Sequence, residues 1–189
     1  PFKPDALKAI VTASLQEYGR VGASSTWVLS NHDQVRHATR YGYEGKIPKQ
    51  GDGIGPDYPQ PDEAMGIRKA RAASAFMLGL PGSAYVYQGE ELGLPEHTTL
   101  EGKYRQDPTY SRTNGQRVGR DGCRVPLPWE GGANESNGFS PNGAGWLPQP
   151  GSYKVLARDQ QEGVAGTTLE LYKRLLKERK AFGMGSGDF

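Results

Sequence analysis

Three short stretches carry residue types that can do chemistry. The first is Asn31-His32-Asp33, where an apolar run stops abruptly. A carboxylate at a strand end, beside an imidazole, can stabilise positive charge developing on a sugar ring. The same pair can act as a general base or as two metal ligands. The plainer alternative is a strand exit whose Asn and Asp cap a turn. The second stretch is Gln88-Gly89-Glu90-Glu91. Successive side chains of an extended chain alternate, so Glu90 and Glu91 cannot both face one pocket. One can face a site while the other pairs with a cation; on its own the stretch reads as a solvated acidic turn. The third is Gly119-Arg120-Asp121-Gly122-Cys123-Arg124-Val125-Pro126. Arg120 and Arg124 each offer a planar fork of donors to hydroxyls or carboxylates. The alternative is that Arg120 and Asp121 staple the loop. Phosphate binding is the weaker reading, because no Gly-rich turn joins a strand to a helix here and no Lys-Ser/Thr pair follows. Cys123 reads as a small buried apolar residue. Tyr41, Tyr43, Tyr58, Tyr104, Tyr110, Trp129, Phe139 and Trp146 lie in loop-like sequence. Such rings stack on the C–H faces of sugars, or form local core.

These residues need elements to hold them. Residues 4–18 predict an amphipathic helix, with Leu7, Ile10, Val11 and Leu15 on one face, Pro4 in the first turn, and Gly19 and Gly22 at the end. Residues 26–29 predict a strand without polar alternation, hence buried on both faces. Residues 41–61 read as loop. A second helix is expected over 62–80, packed through Met65, Ala72, Phe76 and Leu80. A second strand follows at 83–87. The Gly- and Pro-rich stretch to residue 166 far exceeds ordinary loop length and reads as a functional loop region. Thr167-x-x-Glu170 predicts a capping box opening a third helix, with Leu169, Tyr172, Leu175 and Leu176 on its apolar face. The order of elements points to βα units and a parallel sheet. Both strands end in carboxylates, and catalysis in a (β/α)8 barrel sits at the C-terminal ends of strands. Two strands do not close a core, so the expected fold class is α/β: a partial (β/α)8 TIM barrel with its last two strands, their helices and a long loop region.

Composition narrows the partners. Of 189 residues, 27 are Gly and 14 are Pro, well above the roughly 12% of an average protein, which means many fixed turns. The net charge of +2 gives no electrostatic case for nucleic acid or an anionic membrane. No apolar run is long enough to span a bilayer. One cysteine excludes an internal disulfide and a Cys-based metal cluster. No signal peptide is readable ahead of the first helix, and a cytoplasmic location is the expectation.

In order and spacing, the three stretches resemble the α-amylase superfamily of glycoside hydrolases, in its bacterial α-glucosidase and oligo-1,6-glucosidase branch. Trp27-Val28-Leu29-Ser30-Asn31-His32-Asp33 is similar to that family's strand-seven motif. The run from Ser83 to Gly93 is similar to its strand-eight segment, and residues 119–129 to its Arg-Asp loop. The resemblance implies that Asp33 is the third catalytic carboxylate and that His32 binds the same glucosyl unit. It implies that Arg120, with Arg124 as second choice, holds a far hydroxyl, and that Glu91 or Glu90 borders the neighbouring sugar site. It implies an oligosaccharide substrate, no cofactor and no metal within this chain. The nucleophile and acid/base of such a retaining enzyme stand about 5 to 5.5 Å apart. No segment here resembles either, so both are expected upstream, in the missing N-terminal part of the barrel. Residues 1–182 are expected to be the C-terminal portion of that barrel, and 183–189 the start of a linker to a β-domain. The alternatives are a non-catalytic carbohydrate-binding module, or an isomerase or glucosyltransferase of the same superfamily.

Overall fold

A computed structural model describes residues 3–189 apart from 46 and 48; the parts of the expected 41–61 loop at those two positions lie outside the described residues. Helix α1, Pro4–Gly19, carries Pro4 in its first turn, and Gly22 leaves it at φ +68°. Strand β1, Thr26–Val28, pairs in parallel with β2, Ser83–Tyr85, in the register Thr26↔Ser83 and Val28↔Tyr85. Between them lie a one-turn helix, α2 (His37–Arg40), which the sequence did not announce, and α3 (Glu63–Gly79). Asp62 caps α3 by accepting from Met65 N at 2.8 Å. The region after β2 contains three short helices, α4 (Pro108–Arg112), α5 (Tyr153–Leu156) and α6 (Arg158–Gln161). Helix α7, Thr168–Ala181, follows.

The sheet and its helices share one core: Met77 and Leu78 of α3 meet Tyr172 of α7, with Trp27, Leu29, Ala84 and Leu175 packed against them. The long region after β2 has a core of its own, built by Leu92, Leu94, Leu100, Val125, Leu147, Tyr153 and Leu169. That core makes it a shaped platform.

Three expectations need correction. The strands are covered on one face only, with Val28 48% and Tyr85 61% exposed. Their apolar composition suits a second packed face, and within these residues only one face is covered, by α3 and α7. Second, α3 packs through Gly66, Ala70, Ser74, Met77 and Leu78, whereas Ala72 and Phe76 are exposed. Small residues win because α2 crosses close by: a Cβ on Gly66 would overlap Ala38 O. The Phe76 stripe instead lines an apolar groove of about 360 Å³ with Leu7, Ile10 and Val28. Third, the capping box is half made. Thr167 Oγ1 accepts from Glu170 N, but the Glu170 carboxylate accepts from Gly163 N at 2.9 Å rather than returning to residue 167. Residues 184–186 form a 3₁₀ turn, and Gly185 O accepts from Gly82 N at 2.8 Å.

Candidate active site

Because β1 and β2 run parallel, the residues that follow them emerge at one end of the sheet. At the β1 exit, Asn31 Oδ1 accepts from Asp33 N at 2.8 Å. Asn31 therefore closes the turn and leaves the Asp33 carboxylate for other partners. Two guanidiniums converge on it: Arg120 Nη1 donates to Asp33 Oδ1 at 2.8 Å, and Arg124 Nη2 donates to the same oxygen at 3.0 Å. His32 Nε2 stands 3.5 Å from Asp33 Oδ2, on a largely exposed ring. Partial burial pushes the Asp33 carboxyl up. The hydrogen bond from Arg120 and the charges of His32, Arg120 and Arg124 outweigh it, and the group rests below its ordinary value.

That balance chooses among the three chemistries open to the pair. An acid held down by two arginines is a weak base, and a divalent cation would meet two positive charges at the carboxylate. A fixed negative charge is the role that fits.

The loop that brings the arginines is built from within. Asp121 Oδ2 accepts from Gln106 N and Asp107 N, both at 2.9 Å. Asp107 in turn accepts from Arg120 N at 3.0 Å and Arg120 Nε at 2.5 Å, while its other oxygen caps α4 through Thr109 N at 2.9 Å. Burial pushes the Asp107 carboxyl up, but Arg120 and the two backbone donors drive it well below the usual carboxylate range. Arg120 therefore staples the loop, as the plainer reading expected, and also reaches Asp33. Arg124 is less committed. Its Nε donates to His32 O at 2.8 Å and its Nη2 to Asp33, while its Nη1 has no acceptor among the described residues. Trp146 Nε1 donates to Arg124 O at 2.9 Å, so one of the loop aromatics lies beside this cluster. Burial pushes the Cys123 thiol up to about 12, in keeping with a packing role.

The structure does not bring the acidic pair to that cluster. Glu91 folds back to accept from Gly89 N at 2.8 Å. Glu90, expected to border a sugar site, is instead enclosed at 3% exposure behind the sheet. Its Oε2 accepts from Tyr172 Oη at 3.4 Å, and its Oε1 lies 3.8 Å from His37 Nδ1. Ser74 bridges His37 and Tyr172. The chain leaves the extended conformation before this point: residues 88–93 form a turn, with Glu90 N donating to Tyr87 O and Gly93 N to Glu90 O, and that turn directs Glu90 inward.

Burial raises Glu90 to about 7 and lowers His37 to about 3, so His37 is held neutral and Glu90 stays protonated below about pH 7. For Glu90 the sign follows directly. A raised native value means stability that is whole below the unfolded value, about 4.3, and is lost as pH climbs through about 7. Glu90→Gln is expected to leave the melting temperature of the whole protein unchanged at pH 4. At pH 8 it should raise it by a few degrees above the parent. Equal shifts at both pH values would show that Glu90 is not the titrating group.

Sequence reasoning passed over Arg36, Glu96 and Asp107. Asp107-Pro108 is a helix-start signature and could have been found. Arg36 and Glu96 act through contacts 52 to 87 residues distant, which no local pattern reveals.

The two parallel strands, their crossover helix and a charged cluster at the strand exits are those of part of a (β/α)8 barrel. The chain belongs to the α-amylase catalytic-domain family, whose pattern it matches over residues 1–184. It is 35% identical to a probable α-glucosidase of Rhizobium meliloti over 155 residues, 82% of this chain and 24% of that protein. It is 25% identical to the oligo-1,6-glucosidase of Parageobacillus thermoglucosidasius over 95% of this chain and 31% of the relative. Among solved structures, an α-glucosyl transfer enzyme, XgtA, superposes with a TM-score of 0.74 at 27% identity, covering 100% of this chain and 31% of its own. The chain thus spans about a quarter of the length of the first of these relatives.

Proposed function

We propose that the protein to which these residues belong is an α-glucosidase-type glycoside hydrolase, cleaving α-linked glucosyl units from oligosaccharides by a retaining mechanism. The observation that carries this reading is the convergence of Arg120 and Arg124 on Asp33 at the strand exits. An anion fixed there stabilises the oxocarbenium-like ring of the transition state, where charge develops. Asp33 also accepts hydroxyls of the bound glucosyl unit, and His32 lies against the same unit. Arg124 offers its free Nη1 to a far hydroxyl, while Arg120 holds Asp33 in place. Glu91, rather than the enclosed Glu90, is the carboxylate left to border a neighbouring sugar. The nucleophile and acid/base fall to parts of the barrel outside these 189 residues.

The resemblance to an α-glucosyl transfer enzyme supports a second reading, in which a sugar replaces water as acceptor. One experiment addresses both. The whole protein is given an aryl α-glucoside and, separately, its β-anomer, with and without added maltose. Release of aryl alcohol from the α-anomer alone supports the proposal, and longer glucosides in the maltose arm assign transfer. No release from the α-anomer overturns both readings.

A further inference from the structure

The most buried charge among the described residues is Arg36, at 1% exposure, three residues beyond Asp33. A buried guanidinium is costly unless its donors are met; here Nη1 and Nη2 are paired, while the buried Nε has no hydrogen-bond partner among the described residues. The partners are not one carboxylate but two main-chain carbonyls. Nη1 donates to Gln88 O at 2.8 Å, at the exit of β2. Nη2 donates to Cys123 O at 3.0 Å, in the 3₁₀ turn Asp121–Cys123 between Arg120 and Arg124. The Arg36 main chain is fixed as well, its N–H donating to Glu96 Oε2 at 3.0 Å.

The turn is held from other sides too. Tyr87 Oη donates to Cys123 O at 3.1 Å, filling the second lone pair of that carbonyl, and its ring lies 5.1 Å from the Arg36 guanidinium. Gly122 O accepts from His97 N at 3.0 Å. A Cβ on Gly122 would come within 2.5 Å of Glu96 Oε1, so the turn is seated directly on that carboxylate.

We infer that Arg36 is a positioning residue for the α-glucoside reaction: it ties the β1 exit, the β2 exit and the arginine-bearing turn together, and so sets where Arg120 and Arg124 meet Asp33. This rests on the function proposed above. Cys123 sits between the roots of both arginines, so a displacement of its carbonyl moves both guanidiniums against Asp33. Errors of about 1 Å in such a constellation lower rates by about 10²-fold. An apolar side chain could fill the space but could not hold two carbonyls. Lysine keeps the charge but cannot reproduce the planar fork.

The test compares Arg36→Lys, Tyr87→Phe and Asp33→Asn in the whole protein. The readouts are kcat and KM on an aryl α-glucoside, inhibition by a cationic iminosugar, and melting temperature. Arg36→Lys is expected to lower kcat by about 10²-fold with KM within about threefold, and to weaken iminosugar binding in parallel with kcat. Tyr87→Phe keeps Arg36 and the ring, removes one donor from Cys123 O, and should lower kcat by about three- to tenfold at an unchanged melting temperature. A folded Arg36→Lys with kcat and iminosugar affinity near the parent's, beside an inactive Asp33→Asn, overturns the inference and leaves the function standing. If Arg36→Lys does not fold, Tyr87→Phe decides, and an unchanged kcat there overturns it. An active Asp33→Asn overturns the functional reading instead.

Discussion

Asp33→Asn in the whole protein is expected to lower kcat/KM on an aryl α-glucoside by about 10³-fold or more, with the fold intact. The exchange keeps the size of the side chain and most of its hydrogen-bonding capacity, and removes the charge. Charge is the property that Arg120 and Arg124 protect by holding this carboxyl below its ordinary value. The fall should be carried mainly by kcat, since the electrostatic benefit grows as the sugar ring becomes cationic. Asn31 closes the turn independently of the Asp33 side chain, so the melting temperature should move little. Near-normal kcat/KM in a folded Asp33→Asn protein would return Asn31-His32-Asp33 to the status of a strand exit.

Replacing each arginine by lysine separates two jobs. Arg124→Lys is expected to lower kcat/KM by about 10²-fold while leaving stability nearly untouched. Its losses are the bonds to His32 O and Asp33, and the planar fork whose Nη1 is proposed to meet substrate. Arg120→Lys should reduce kcat/KM comparably and also lower the melting temperature. It leaves the fully buried Asp107 side chain without the two-nitrogen grip that balances its charge. Stranding one partner of such a pair costs about 3–5 kcal/mol at full burial and less here, because Arg120 is partly solvated. Kinetics read beside thermal melts decide the assignment. An Arg124→Lys protein that melts early but turns over normally would exchange the two roles.

How much of this was legible beforehand differs from element to element. Helices α1 and α3 and the start of α7 were readable because their signals are local: a proline in the first turn, an aspartate cap, a threonine three residues before a glutamate. The parallel pairing followed from two apolar runs separated by a helix. The packed face of α3 was not readable. Hydropathy favoured Phe76, whereas the neighbour that arrives is α2, and only small residues admit it. In the site, Asp33, His32, Arg120 and Arg124 were nameable from type and spacing, and the structure gathers all four. Arg36, Glu96 and Asp107 escaped because their work consists of binding main-chain atoms of distant segments. Glu90 was misplaced because the stretch was read as extended chain, whereas it is a turn that aims Glu90 at His37 and Tyr172.

The span between Asp33 and its partners also bears on how the protein is made. Arg120 and Arg124 follow Asp33 by 87 and 91 residues. At a synthesis rate of about 5–20 residues per second, the carboxylate leaves the ribosome roughly 5 to 20 s before the guanidiniums that will hold it. For the first part of that interval β1 also lacks β2, and contacts of such separation are slow to close. The charge cluster therefore assembles well after its carboxylate is made. A pause in translation between residues 33 and 124 would lengthen the time for which an unpaired acid and an open strand edge are presented to other chains.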